Sequence, residues 1–266
     1  MEQTATQCSE STTRPPQRIL RLVTVTGADD SVKPCDLWAL ARRFPYAEFG
    51  ILLASEAGAG GGPRFPSRRW LTELVRVAND AAAVGKPMNL SGHICGEWVR
   101  WALEGLWPDA VAYDVAGIGH VFQRWQLNTH GVDHTVTKYA VRGNTGLLGA
   151  RGQTVVFQLD GKAGNVAASM AVDAGRKNVA GLFDLSHGGG VLPEEWPKPM
   201  AGLACGYAGG LSPDNLAEQM PRIVAASGGA AQWVDTETAL RCPGTDNGDY
   251  FDLELAEAFL VAAAQC

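Results

Sequence analysis

A single domain folded as a (β/α)₈ barrel is the architecture that the sequence predicts, on three observations. The chain has 266 residues, which suits one large domain. Short apolar runs alternate with longer segments of helical periodicity, and the alternation repeats eight times. Eight such pairs in a chain of this length are typical of an α/β protein of the TIM-barrel kind. A doubly wound open sheet is the alternative, but no G-x-G-x-x-G motif follows the first run to favour it.

Each apolar run is predicted to form a strand because it has the length of a strand and is bounded by turn-forming residues. The predicted strands are Ile19–Thr26, Glu48–Ala54, Pro87–Ser91, His120–Leu127, Thr154–Leu159, Val179–Leu185, Met200–Cys205 and Ala231–Val234. The 32 glycines of the chain provide for many tight turns between these elements.

The segments between the strands are predicted to be helical, and two carry clear start signals. Pro34 suits a first helical turn, where its missing N–H costs nothing. Ser212 followed by Pro213 is a good N-cap with proline at the first position. The predicted helices are Pro34–Phe44, one from Ser67, Glu97–Glu104, Val132–Val141, Asn165–Gly175, a short piece at Pro193–Trp196, one from Ser212 and Asp252–Ala263.

The N-terminal segment differs in composition from the rest of the chain. Residues 1–17 are rich in Ser, Thr and Pro and weakly apolar, so we expect a mobile tail ahead of a barrel domain at residues 18–266. Over the whole chain 46 % of residues are hydrophobic and 19 % are charged, which is enough apolar material for a sizeable core.

Charge and hydropathy exclude several classes of partner. The formal net charge is -6 and no Lys/Arg-rich run is present, so we expect no nucleic-acid partner. The N-terminus lacks the basic start and apolar run of a signal peptide, and no stretch is long and apolar enough to span a bilayer. We therefore expect a cytoplasmic protein that makes no membrane contact and acts on a small molecule.

The cysteines give no sign of a metal or disulfide framework. In the cytosol they should mostly be free thiols, and no pair has the C-x-x-C spacing of a structural zinc site. We therefore expect no cofactor and no bound metal. The six cysteines are Cys8, Cys35, Cys95, Cys205, Cys242 and Cys266.

The functional residues of a barrel of this kind lie at the C-terminal ends of its strands. Four of the five histidines fall at or near predicted strand ends, a concentration of titratable groups that fits an enzyme. The catalytic candidates are Asp184, His93, Cys95 and Asp235. The candidates for binding a substrate or its phosphate are Thr26, Arg64, Gln126, His130, Gly209, Gly210, Glu237 and Arg241.

The sharpest local motif is the A-G-G-L-S-P-D-N sequence at residues 208–215. Its two glycines allow close approach of the backbone to a ligand. A helix starting at Ser212 would offer free N–H groups and a positive dipole end to a phosphate. The motif therefore predicts an anion site at Gly209, Gly210 and the start of that helix, and a tight turn with a good helix cap is the alternative.

This motif resembles the phosphate-binding A-G-G-L-x-P-x-N of phosphoribosylanthranilate isomerase, and further similarities follow in the same order along the chain. Residues 63–67 resemble the family's S-P-R-x-V-S, residues 126–131 its V-Q-L-H-G, and residues 182–184 with 188–190 its L-x-D and glycine-rich loop. The resemblance runs with gaps from Ile19 to Ala263. It implies an Amadori rearrangement, catalysed by a general acid and a general base.

The resemblance also implies roles for particular residues. Asp184 matches the family's general acid, whereas Thr26 stands where the family has its cysteine base. A threonine hydroxyl is too weak an acid to supply a base, so His93 is the first choice for that role, with Cys95 and Asp235 as alternatives.

The segment after the eighth strand also departs from the family pattern. Glu237 would repel a phosphate unless it is protonated or paired, for instance with Arg241. The implied function is an isomerase acting on a sugar phosphate or a similar small polar metabolite.

Two other functions remain open from the sequence. One is a non-catalytic ligand-binding barrel. The other is a metal-dependent enzyme, since nitrogen and oxygen ligands for a divalent metal are present at the same rim. These potential ligands are His93, His130, Asp184, His187, Asp235 and Glu237.

Overall fold

Eight parallel strands close into a barrel in the computed structural model, each paired with the next along the chain and the eighth with the first. The predicted TIM barrel is therefore confirmed, and the doubly wound open sheet is excluded. The structure describes residues 20–54, 64–106, 118–130, 138–159, 161–186, 189–229, 231–244 and 248–266. The predicted tail at residues 1–17 lies outside this part of the chain.

The barrel strands are short, and a two-stranded antiparallel hairpin follows the last of them. The barrel strands are β1 (Leu22–Thr26), β2 (Ala47–Leu53), β3 (Asn89–Ile94), β4 (Arg124–Leu127), β5 (Thr154–Leu159), β6 (Val179–Asp184), β7 (Ala204–Ala208) and β8 (Ala231–Thr236). The hairpin consists of β9 (Arg241–Pro243) and β10 (Asp249–Phe251).

Helices connect most of the strands. They are α1 (Pro34–Arg43), α2 (Arg68–Ala83), α3 (Glu97–Glu104), α4 (Lys138–Ala150), α5 (Ala163–Asp173), α6 (Leu216–Ser227) and α7 (Leu253–Ala264), with short 3₁₀ helices at Ile118–Val121 and Thr238–Leu240. Ser67 caps α2 and Asp252 caps α7 by accepting hydrogen bonds from the first-turn N–H groups. Among the helices that the structure describes, none is long and apolar enough to cross a bilayer.

The third and fourth strands differ from their predicted bounds for identifiable reasons. β3 runs on to Ile94 because the polar side chains of Ser91 and His93 point into the barrel rather than ending the strand. The fourth predicted strand began at His120, but that segment curls into a 3₁₀ helix, where the side chain of Gln153 binds two carbonyl groups.

The connections of the second half also differ from the prediction. α4 extends to Ala150, past the predicted end at Val141, and the predicted start at Val132 lies outside the described residues. Residues 193–196 form no helix, and β7 begins at Ala204, after a turn in which Gly202 adopts a positive φ. α6 begins four residues later than expected, because residues 212–215 form a separate turn before it.

The apolar core has two parts. A large cluster packs the outward faces of the strands against the helices. The cluster inside the barrel is small and has four buried members, Val156, Ala180, Leu182 and Trp233. The remaining interior space is filled by polar side chains, which is unusual for a barrel interior packed by branched apolar residues.

A buried ion pair occupies the N-terminal end of the barrel interior. Arg124 lies 3.2 Å from the carboxylate of Glu48, which also accepts a hydrogen bond of 2.9 Å from the hydroxyl of Thr24. The guanidinium of Arg124 stacks over the ring of Trp233, 4.0 Å from its centroid. Trp233 fits because the neighbouring strand carries Gly206, where a Cβ would overlap the indole.

We expect Gly206→Ala to lower the free energy of unfolding by about 1–3 kcal/mol, the usual cost of overpacking a core. Gly143→Ala is the matched control, because a Cβ at Gly143 in α4 meets nothing within 4 Å. That substitution should instead raise stability by roughly 0.5–1 kcal/mol through helix propensity. Urea unfolding measures both changes, and equal stability of the two variants would contradict the close packing of Trp233 on β7.

Candidate active site

A cavity of about 490 Å³ opens at the C-terminal ends of the barrel strands. The structure brings eleven of the twelve candidate residues to its wall, namely Thr26, Arg64, His93, Cys95, Gln126, His130, Asp184, Gly209, Gly210, Asp235 and Glu237. Asn128 and Ser186, which directly follow the fourth and sixth predicted strands, also line it, and so do Gln158 and Thr238, which were not singled out from the sequence. Their signal was their position at or just after strand ends.

Arg241 is the candidate that does not line the cavity. Its side chain is 2 % exposed and lies 2.7 Å from Asp29 and 3.0 Å from Asp249, and it donates to the carbonyl of Gly27. Arg241 therefore joins the β1 loop to the β9–β10 hairpin. It is not the partner of Glu237 that the sequence suggested.

Glu237 is paired with Arg64 instead, at 2.9 Å, and Arg64 also binds Asp249 at 3.0 Å. Burial raises the pKa of Glu237, and the charge of Arg64 only partly offsets this. The backbone of Arg64 has a φ of 76°, which is strained for a residue with a side chain, and its N–H binds Asp29. The backbone of Arg64 is thus held by Asp29, and its guanidinium lies at the cavity wall.

Asp235 lies at the C-terminal end of β8 and is buried. Its Oδ1 accepts a hydrogen bond of 2.7 Å from the hydroxyl of Thr26. Burial raises the pKa of Asp235 well above its usual range, and the nearby carboxylates of Glu237, Glu48 and Asp184 act in the same direction. The environment therefore favours retention of its proton.

Asp184 ends β6 and lies nearer the rim, where it is half-buried. Its Oδ1 accepts from the backbone N–H and the hydroxyl of Ser186, and its Oδ2 accepts from Gln158 at 3.1 Å. In the strand register Asp184 pairs with Ala208 of β7, which pairs with Asp235 of β8. Two carboxyl groups thus lie at the same level of the barrel, on β6 and β8 with β7 between them, and both line the same cavity.

His93 lies within β3 rather than after it, and its side chain is 1 % exposed. The side-chain amide of Gln126 lies 3.3 Å from its Nδ1. Burial, with a smaller contribution from the charge of Arg124, lowers the pKa of His93 to about 3. The imidazole is therefore neutral at physiological pH and poorly suited to the role of general base that the sequence suggested.

Cys95 follows β3 and was an alternative candidate for the base. Its Sγ accepts a hydrogen bond of 3.3 Å from the side-chain amide of Asn128. Burial raises the pKa of Cys95 to about 12, so the group is a thiol rather than a thiolate at neutral pH. This environment does not activate a cysteine as a base.

The loop after β7 has the two glycines in left-handed conformations, with φ of 110° at Gly209 and 65° at Gly210. A Cβ at Gly210 would overlap the backbone of Leu192, so these glycines serve close backbone packing. The N–H of Ser212 donates to the side chain of Asn215 and is therefore not free for an anion as expected. Because a Cβ would overlap the backbone of Leu192, Gly210 cannot be replaced without disturbing the fold.

The described residues contain no cluster of three or more His, Cys, Asp or Glu side chains placed to hold a metal ion. Of the six potential ligands, His187 lies outside the described residues. His130 lines the cavity at its rim, where its backbone N–H donates to Gln158. Within this part of the chain, the geometry gives no support to the metal-dependent alternative.

No protein-family model and no curated protein matches this chain. Among solved structures it is similar to DAHP synthase of Thermotoga maritima, with a TM-score of 0.47 and 10 % identity over 92 % of this chain and 68 % of that one. It is also similar to 3-keto-L-gulonate-6-phosphate decarboxylase of Vibrio cholerae, with a TM-score of 0.44 and 9 % identity over 92 % of this chain and 98 % of that one. For fructose-bisphosphate aldolase of Campylobacter jejuni the TM-score is 0.42 and the identity is 10 %, over 93 % of this chain and 86 % of that one. These likenesses assign no reaction to this chain.

The buried imidazole of His93 should make stability depend on pH. Between about pH 6.5 and about pH 3 the unfolded chain binds a proton at this residue that the folded chain does not. The free energy of unfolding should therefore fall as the pH falls through this window, by up to about 1.4 kcal/mol per pH unit from this group.

His93→Gln should flatten this acid limb in urea titrations at a series of pH values. His120→Gln is the matched control, because that imidazole is exposed, and its curve should stay parallel to that of the parent protein. A His93→Gln curve that also runs parallel to the parent would contradict a buried neutral imidazole.

Proposed function

We propose that this chain is an enzyme that isomerises a small polar metabolite of the sugar-phosphate kind by moving a proton between a carbon atom and an acid–base pair. The observation that carries the proposal is the placement of Asp184 and Asp235 in one layer, facing one cavity, in different environments. Two titratable groups whose surroundings differ in this way are suited to act as base and acid.

The environments assign the roles. Asp235 is buried and favours its protonated form, so it donates a proton to a substrate oxygen. Asp184 lies at the rim, oriented by three hydrogen-bond donors, and removes the carbon-bound proton. The reverse transfers on the neighbouring carbon and oxygen return both groups to their starting states. This assignment reverses the role of acid that the family resemblance implies for Asp184.

Thr26, at the position of the family's cysteine base, fits this scheme. Its hydroxyl donates to Asp235, so the carboxyl group of Asp235 lies next to the position at which the family has its cysteine. An Amadori rearrangement of an aminoaldose phosphate is the finer form of the proposal. The order of the family-like motifs along the chain supports that finer form.

A phosphorylated substrate is supported by two parts of the cavity wall. The loop of Gly209 and Gly210 lines the cavity, and so does Arg64, whose side chain is 30 % exposed. The pairing of Arg64 with Glu237 reduces the expected repulsion of an anion, and Arg64 is shared with Asp249.

The experiment is solvent-hydrogen exchange, which detects removal of a carbon-bound proton without knowledge of the product. The purified protein is incubated in D₂O with a panel of aldose, ketose and aminoaldose phosphates, and deuterium at carbon is measured by NMR. We expect exchange into at least one compound. Asp184→Asn and Asp235→Asn should each slow it by about two to four orders of magnitude.

Asp173→Asn is the matched control, because Asp173 is exposed at the end of α5 and far from the cavity in the barrel layout. It should exchange at the parent rate. Binding of panel compounds without any exchange would indicate a non-catalytic barrel. Loss of exchange on treatment with a chelator would indicate the metal-dependent alternative.

A further inference from the structure

The inner end of the cavity carries a polar atom that the pair of carboxyl groups does not use. The Nε2 atom of His93 is buried and makes no hydrogen bond to any described residue. The side chain is among those that line the cavity, and its Nε2 lies close to Gly50 and to the hydroxyl of Thr26. A buried polar group without a partner is costly, and in a cavity wall it marks a place where a ligand would supply the partner.

A chain of side-chain contacts bears on where His93 carries its proton. The side-chain amide nitrogen of Gln126 lies 3.3 Å from Nδ1 of His93 and donates to Oδ1 of Asn128 at 2.9 Å. The amide nitrogen of Asn128 donates in turn to Sγ of Cys95. With the amide nitrogen of Gln126 oriented toward Nδ1, that atom is the acceptor, and we infer that the neutral ring carries its proton on Nε2. In this tautomer Nε2 is a donor.

The shape of β2 makes room for this donor beside the acid. A Cβ at Gly50 would lie 3.0 Å from Nε2 of His93 and would overlap the hydroxyl of Thr26. The two groups therefore flank the same point in the barrel interior, and the hydroxyl of Thr26 binds Asp235. Gly50 therefore leaves room for the side chains of Thr26 and His93 to lie next to each other.

We propose, on the basis of the proposed function, that His93 Nε2–H and the carboxyl group of Asp235 form a two-donor subsite for an uncharged substrate oxygen. The subsite takes the carbonyl or hydroxyl oxygen next to the carbon that loses its proton. Negative charge develops on this oxygen as the proton leaves, and two fixed donors stabilise it. His93 is thus a donor rather than a base, and Gln126 is the residue that positions its proton.

The subsite also restricts the substrate. The carboxyl groups of Asp184 and Glu237 face the same cavity, so a substrate carboxylate at this point would meet further negative charge. An α-hydroxy aldehyde, an α-hydroxy ketone or an aminoaldose satisfies both donors without adding charge in the ground state. The phosphate of such a compound would lie beside Arg64, the cationic side chain of the cavity wall.

The first test needs no substrate. Protein labelled with ¹⁵N at histidine is examined by long-range ¹H–¹⁵N NMR at neutral pH, and the signal of His93 is assigned by its loss in His93→Gln. We expect a neutral ring protonated on Nε2. Gln126→Glu, which places a carboxylate acceptor beside Nδ1, should move the proton to Nδ1 or produce an imidazolium.

Gln265→Glu is the matched control at an exposed position and should leave the His93 signal unchanged. A wild-type ring protonated on Nδ1, or charged at neutral pH, would overturn the assignment of the donor. This result is independent of the exchange panel, so it stands or fails separately from the proposed function.

The second test uses a compound that exchanges deuterium with the wild-type protein. His93→Leu should slow exchange by about 10²–10³-fold, the usual cost of removing one donor to a developing oxyanion, with little change in KM. His93→Gln keeps an N–H donor and should recover part of the rate. Exchange at the wild-type rate in His93→Leu would overturn the subsite while leaving the roles of Asp184 and Asp235 intact.

Discussion

The buried ion pair between Arg124 and Glu48 is the interaction on which the rest of the barrel interior depends. Two charges inside a barrel are costly unless they are paired and hydrogen-bonded, and loss of either partner would leave the other charge uncompensated. Thr24 and the ring of Trp233 complete the surroundings of this pair. The pair therefore supports a polar interior where most barrels have stacked apolar layers.

This pair also sets the electrostatics of the layer above it. The positive charge of Arg124 opposes protonation of His93, and the negative charge of Glu48 opposes ionisation of Asp235. Both effects add to those of burial, so a neutral imidazole and a protonated carboxyl group are favoured side by side. The ion pairs of Arg64 with Asp249 and Glu237 lie nearer the solvent. The inner end of the cavity thus favours neutral groups, and its rim carries ion pairs.

The sequence allowed the fold and most of the cavity wall to be predicted, because strand-length apolar runs and their C-terminal neighbours are local features. Asp184 and Asp235 could be placed by counting from strand ends. The position of His93 could not, because a polar residue in a strand is indistinguishable from a loop residue until the interior is known to be polar. The partner of Glu237 was also beyond prediction, since Arg64 reaches it from a different loop through a strained backbone.

The central claim is that burial keeps the proton on Asp235 to a higher pH than an ordinary carboxyl group would hold it. Infrared difference spectroscopy of the parent protein against Asp235→Asn tests it most directly, because a protonated carboxyl group has a C=O stretch that a carboxylate lacks. We expect the parent protein at neutral pH to show a protonated carboxyl band that the variant has lost. A difference spectrum that contains only carboxylate bands would show that Asp235 is ionised, and it would contradict both its role as acid and the two-donor subsite.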